Sequence, residues 1–197
     1  AFSMRERLGD LEGKKVAIQG CGNVGYYLAK YLHEVGAQLI YTDINGARVA
    51  RCLEEFGGRA VEGDEYFGLD VDVLAPCAIG GIINKRTIPK LRAPIIAGGA
   101  NNVLNEEERD GEALMEKEIA YAPDYVINAG GLINVYSELK RLPLAKAMDD
   151  SANIFSTVKE IINAAKAQGI TTMSAANQLA EQRIETVAGI KRMHIGS

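Results

Sequence analysis

Histidine is almost missing from this chain. His33 and His194 are the only two among 197 residues, and nothing beside either in sequence pairs with it for acid–base work. Neither is expected to be catalytic. Cysteine is scarce too. Cys21, Cys52 and Cys77 show no close metal-type spacing, so no metal site is expected. An odd count with no framework suits a reducing cytoplasm, the expected compartment. Neither Cys21 nor Cys77 has a histidine or basic neighbour to lower its pKa, so neither reads as a nucleophile.

Basic excess is absent as well. The net charge is −4 and no basic cluster stands out, which argues against nucleic acid as a main partner. No apolar run approaches the roughly 18 residues that a membrane span needs. The stretch Ala1-Phe2-Ser3-Met4-Arg5-Glu6-Arg7 has no apolar core of the kind a signal peptide carries. No membrane partner is therefore expected. Internal repeats and low-complexity segments are lacking. The segment Ala1–Leu8 reads instead as the end of a helix whose beginning is absent, so a piece of a longer or processed protein is expected.

What is present is glycine in an informative order. Lys14–Gln19 reads as a strand. Gly20-Cys21-Gly22-Asn23-Val24-Gly25 follows, then a helical pattern to Val35. A second strand, Gln38–Thr42, ends in Asp43, 18 positions after Gly25. A bare G-x-G-x-x-G is weak evidence. Here it follows an apolar run, opens a helix and precedes an acid, which is the context of a dinucleotide site. Gly20 permits a tight turn, Gly22 lets backbone approach a pyrophosphate, and Gly25 lets the helix pack closely. The helix start attracts phosphate through free N–H groups and its dipole. Asp43 suits ribose hydroxyls and repels a 2′-phosphate, which favours NAD over NADP. Arg48 lies near enough in sequence to soften that repulsion but is expected to face solvent.

Strands and helices then alternate. Val24, Tyr27, Leu28, Tyr31, Leu32 and Val35 recur at helical spacing. A helix is expected over 47–56, a short strand over 58–61, and a strand over 71–75 closed by Pro76. A helical turn is expected near 87–91, a buried strand over 94–97 and a surface helix over 106–117. Glu118–Tyr121 and Tyr125–Ile127 read as the last strand region, and 131–141 as a helix. This alternation predicts an α/β fold: a doubly wound, Rossmann-type, mostly parallel sheet with helices on both faces. Its carboxyl edge should collect Gly20–Gly25, Asp43, Pro76-Cys77-Ala78, Gly98–Asn102 and Asn128–Gly131. After Leu144 only helix follows. One stripe is Ile154, Val158, Ile161, Ile162 and Ala165, broken by Gly169. Another is Ala176, Leu179, Ala180, Ile184 and Val187, with Thr172 or Ser174 as its cap. The expected division is 1–144 for dinucleotide binding and 145–197 for helices that pack on it or bridge to a further domain.

Three segments carry more. Ala75-Pro76-Cys77-Ala78, Ala97-Gly98-Gly99-Ala100-Asn101-Asn102 and Tyr121-Ala122-Pro123-Asp124-Tyr125-Val126-Ile127-Asn128-Ala129-Gly130-Gly131-Leu132-Ile133-Asn134-Val135 occur in this order. Together they resemble the glutamate, leucine, phenylalanine and valine dehydrogenase family, and within it the leucine-specific members most. The late Leu179-Ala180-Glu181-Gln182-Arg183-Ile184 resembles that family's closing helix. The resemblance implies oxidative deamination of an L-amino acid to a 2-oxo acid and ammonia, with NAD reduced. It implies that Gly20, Cys21, Gly22, Asn23, Val24 and Gly25 hold the pyrophosphate, Gly25 standing where alanine is frequent. It gives Asp43 and the adjoining Ile44, Cys77, Ala78, Asn101, Asn102 and Asn128 to the cofactor, and Asn128, Leu132 and Val135 to the substrate pocket. Turn chemistry is the plain alternative for the three asparagines, and core packing for Leu132 and Val135. Val135 offers no hydrogen bond to a substrate carboxylate, which points to a branched or apolar amino acid.

The family's glycine-flanked lysine is not found. Lys14 and Lys15 precede the first strand, and Lys85 and Lys90 match no family motif. The expectation is a cofactor domain, in a homo-oligomer, whose catalytic lysines come from another domain or chain. A non-catalytic NAD-binding sensor or regulatory module, or a scaffold whose last helices mediate assembly, remain the alternatives.

Overall fold

The computed structural model describes the backbone over residues 9–195 and side chains over residues 9–186. The expected helix end at Ala1–Leu8 and the side chains of Val187 and His194 lie outside the described residues. Six strands form one all-parallel sheet: β1 (Lys15–Gln19), β2 (Gln38–Thr42), β3 (Arg59–Ala60), β4 (Val73–Pro76), β5 (Ile95–Ile96) and β6 (Ala120–Tyr121). Their spatial order is β3-β2-β1-β4-β5-β6. The strand order reverses between β1 and β4, so the crevice above β1 is the topological switch point where such sheets bind ligands.

The central strands are apolar on both faces because helices cover both. Ala17, Ile40, Leu74 and Ile96 point into one core with Tyr66, Phe67, Leu114 and Met173. Val16, Ile18, Leu39, Tyr41, Val73 and Ala75 point into the other with Ala29, Leu32, Val49 and Cys52. Register follows the same alternation: Ile18 pairs with Tyr41 and Ala17 with Leu74.

The helices are α1 (Asn23–Glu34), α2 (Gly46–Phe56), α3 (Glu107–Glu116), α4 (Asp124–Ile127), α5 (Gly130–Leu139), α6 (Leu144–Gln168) and α7 (Thr172–Ile195). Short 3₁₀ turns occupy Gly63–Gly68 and Ile88–Lys90; only the second was expected. No helix among the described residues is long and apolar enough to cross a membrane. The α6–α7 pair packs onto the sheet domain. Met173 joins the main core, and the Thr172 hydroxyl donates to the Tyr121 carbonyl at 2.7 Å.

Four sequence expectations are corrected. Tyr125–Ile127 is helix rather than strand, because the amides of Val126 and Ile127 both donate to the Pro123 carbonyl. The Asp124 carboxylate accepts the Tyr125 N–H at the same helix start. The buried side of α1 is Gly25, Ala29 and Leu32, whereas Val24, Tyr27 and Tyr31 are more than half exposed. Helical spacing grouped the large apolar residues, but close packing selected the small ones. Thr171, not Thr172 or Ser174, caps α7, its hydroxyl accepting the Ser174 N–H at 3.1 Å. Ile184 is exposed rather than packed.

That close packing has one origin. A Cβ at Gly25 would run into the Gly20 carbonyl oxygen, so the helix sits nearer the strand turn than any side chain allows. Even an alanine there would require the helix to move. Gly25→Val is expected to cost about 3 kcal/mol in urea unfolding, with Gly25→Ala in between. An unchanged midpoint for both would show that α1 can shift without loss.

Candidate functional site

The strand β1 ends in a turn that only glycine can make. Gly20 has φ +94, and a Cβ there would lie 2.6 Å from the Ala78 Cβ. The Gly20 N–H donates to the Thr42 carbonyl at 2.8 Å. Gly22 is the N-cap of α1, and no side chain caps that helix. Its first-turn N–H groups are therefore left for an acceptor from outside.

Asp43 ties this turn to the end of β2. One carboxylate oxygen accepts the Cys21 N–H at 2.7 Å, and the other accepts the Asn45 N–H at 2.8 Å. Sequence spacing could place Asp43 at the strand end but not reveal this bond. Each oxygen keeps a lone pair, so the carboxylate remains able to accept hydroxyl protons. Ile44, beside it, is fully exposed, which is costly for an isoleucine unless something flat and apolar covers it.

The other turns reach the same edge. The Cys77 N–H donates to the Gln19 carbonyl at 2.7 Å, and the Ala100 N–H to the Pro76 carbonyl at 2.9 Å. The Gly99 N–H points at the Cys77 Sγ at 3.5 Å, and the Val24 side chain lies against Gly99. The Asn128 side-chain amide donates to the Asn101 side-chain oxygen. Asn102 takes the left-handed conformation at φ +51, and its carbonyl accepts the Gly81 N–H at 2.7 Å. Gly20 through Gly25, Asp43, Cys77, Ala78, Asn101, Asn102 and Asn128 are thus linked at one rim.

Leu132 and Val135 extend from that rim on α5. Both are exposed, at 75% and 51%, so core packing does not account for them.

Nucleophilic cysteine chemistry finds no support. Burial, with the nearby Cys52 thiol, pushes the Cys21 thiol up to about 12. Burial raises Cys77 as well. Both stay protonated at neutral pH, and with no thiolate they are poor nucleophiles. Two of the candidate lysines are held in ion pairs: Lys14 with Asp72 at 3.6 Å and Lys90 with Asp64 at 2.8 Å.

Sequence reading passed over a residue that ties two of these turns together. Asp124 is buried, and its carboxylate accepts the Val103 N–H at 2.7 Å while opening α4. One side chain therefore joins the turn after β5 to the turn after β6. An acid directly after a proline at a strand end was the available signal.

Known proteins fit this architecture. The family model for glutamate/leucine/phenylalanine/valine dehydrogenase matches residues 2–51 and 45–192. The chain belongs to this family. A leucine dehydrogenase of Geobacillus stearothermophilus is 51% identical over 177 residues, covering 90% of this chain and 48% of that protein. An L-tryptophan dehydrogenase of Nostoc punctiforme is 50% identical over 174 residues, covering 88% and 49%. The crystal structure of L-tryptophan dehydrogenase from Nostoc punctiforme superposes with a TM-score of 0.90 at 47% identity, covering 94% of this chain and 57% of that one. The chain spans about half the length of the curated dehydrogenases it matches.

Removing the Asp124 carboxylate leaves two backbone N–H groups unpaired. Asp124→Ala is expected to cost about 2–4 kcal/mol in urea unfolding, and Asp124→Asn less, since one acceptor oxygen survives. Equal stability of Asp124→Ala and the parent would show that the loop finds other partners.

Proposed function

We propose that this chain is the NAD-binding part of an L-amino-acid dehydrogenase, and that the catalytic lysines reside on another domain or chain. The observation that carries this reading is the Cys21–Asp43 bond at the switch point. It sets a carboxylate beside a glycine turn whose helix has no side-chain cap. The residues fit a dinucleotide. Gly22 and the first turn of α1 would hold the diphosphate, Asp43 the adenosine ribose, and Ile44 would cover the adenine. Cys77, Ala78, Asn101, Asn102 and Asn128 would meet the nicotinamide half, where amide side chains can both donate and accept. When bound there, NAD would supply the hydride-accepting chemistry. This chain's own part is to orient the two reactants and shield them from water.

The substrate reading rests on α5. Leu132 and Val135 share an apolar, exposed face next to Asn128, which suits a branched or other apolar side chain. A distal carboxylate would lack a partner there. The relatives named for leucine and tryptophan agree with an apolar amino acid. Lys14 and Lys90 are held by Asp72 and Asp64, whereas an acid–base group must be free to reach the reacting atoms.

Two outcomes follow. NADH added to the chain is expected to bind, read by nicotinamide fluorescence, while leucine and NAD give no turnover. Robust turnover by the chain alone would show that the chemistry lies within these residues. Asp43→Ala is expected to weaken NADH binding about tenfold, as loss of hydrogen bonds to a charged group does, and to narrow its advantage over NADPH. An unchanged preference would mean that another residue sets it.

A further inference from the structure

The outer edge of the sheet carries a hollow that shares no residue with the rim. It lies between α3, the turn joining α6 to α7, and the edge strand β6. Leu114, Met115, Ile119, Ile162, Ile170 and Met173 give it apolar walls, and its volume is about 330 Å³. That size and lining suit a small organic molecule, since such pockets run from about 300 to 1,000 Å³ and are mostly apolar with a few polar groups. The two methionines add soft, adaptable surface.

Two residues of opposite charge, Glu118 and Lys166, line the same hollow. They do not pair with each other, and neither side chain has an ion pair or hydrogen bond among the described residues. Glu118 also holds its place against the backbone's preference. It follows the C-cap of α3 with φ +58, the left-handed position where glycine or asparagine usually ends a helix. A glutamate there is strained, and no side-chain bond among the described residues offsets that strain.

We propose that this hollow binds a small apolar α-amino acid, its carboxylate on Lys166, its ammonium on Glu118 and its side chain between the apolar walls. The pair of charges selects a zwitterion. A fatty acid or a 2-oxo acid would bring a carboxylate to Lys166 but set it against Glu118. A plain amine would do the reverse. An α-amino acid carries both charges on one carbon and satisfies both residues, beside apolar walls that screen charge less than bulk water does. The site is separate from the proposed substrate face at Leu132 and Val135, and it does not depend on dinucleotide binding.

The test titrates the full chain by calorimetry, with no dinucleotide present, against three probes: L-leucine, its 2-oxo acid, and the amine left when its carboxyl group is removed. Thermal unfolding without ligand checks that each variant is folded. Leucine is expected to bind the parent about tenfold more tightly than either other probe. Glu118→Gln and Lys166→Ala are each expected to weaken leucine about tenfold, as loss of a charged hydrogen bond does, and Leu132→Asp to leave it unchanged. A parent that takes up no leucine overturns the site. So does leucine binding that survives both Glu118→Gln and Lys166→Ala, and its loss in Leu132→Asp alone would place the amino acid at the rim instead. Equal affinity for leucine and its 2-oxo acid overturns the role of Glu118. NADH titration of the same chain reads the dinucleotide site separately, so either reading can fail without the other.

Discussion

Backbone meeting backbone at the carboxyl edge of the sheet is the constraint on which the rest depends. Side chains would normally hold neighbouring turns 5 Å or more apart. Here Gly25 lets α1 rest against the Gly20 carbonyl, Gly20 lets the first turn rest against Ala78, and Gly98 does the same against Pro76. Each approach removes a side chain's thickness from the rim. The peptide groups of several loops consequently surround one gap, and they face it as N–H donors and carbonyls rather than as apolar bulk. A parallel sheet brings all its strand ends to one side, but without these contacts the ends would be neighbours and not a site.

Backbone proximity then needs polar ties to fix orientation, and two buried or half-buried acids supply them. Asp43 binds the first turn to the second strand, and Asp124 binds the fifth loop to the sixth. Each carboxylate takes backbone N–H groups from both its own segment and a distant one, a charge-assisted arrangement stronger than a neutral pair. The two halves of the rim are thus braced by the same device. The same Asp43 that would meet a ribose also positions the turn beside it, so its roles in folding and in binding are physically inseparable.

The strand–turn–helix–strand order over residues 14–43 was legible because three signals agreed there: an apolar run, glycines at fixed offsets and a terminal acid. The doubly wound parallel sheet followed from handedness and alternation. What failed was local. The stripe of Val24, Tyr27 and Tyr31 had helical spacing but lost the buried side to Gly25, Ala29 and Leu32, since propensity and size say nothing about how near two backbones come. Tyr125–Ile127 has β-branched and aromatic residues, yet a carboxylate bond at Asp124 bends it into a helical turn. Asp124 was passed over because its importance lies in a contact across 21 residues, to Val103, and spacing along the chain does not encode that.

The rim also shows an electrostatic asymmetry that bears on what such a domain can do by itself. The α1 terminus at Gly22 has no side-chain cap, and the Asp43 carboxylate sits close by on the Cys21 N–H. The other end of the rim offers the amides of Asn101 and Asn128 and the apolar Leu132 and Val135, and its acid, Asp124, is buried and bound to the Val103 and Tyr125 N–H groups. Neutral thiols at Cys21 and Cys77 add no charge. A reaction that moves protons needs a group whose charge can change near its operating pH. The proposed cofactor end is therefore well supplied by these residues, whereas the proposed substrate end can orient and desolvate but cannot shuttle a proton. Under that reading, an exposed apolar face at Leu132 and Val135 is half of a pocket, and the charged half must arrive on a surface opposite it.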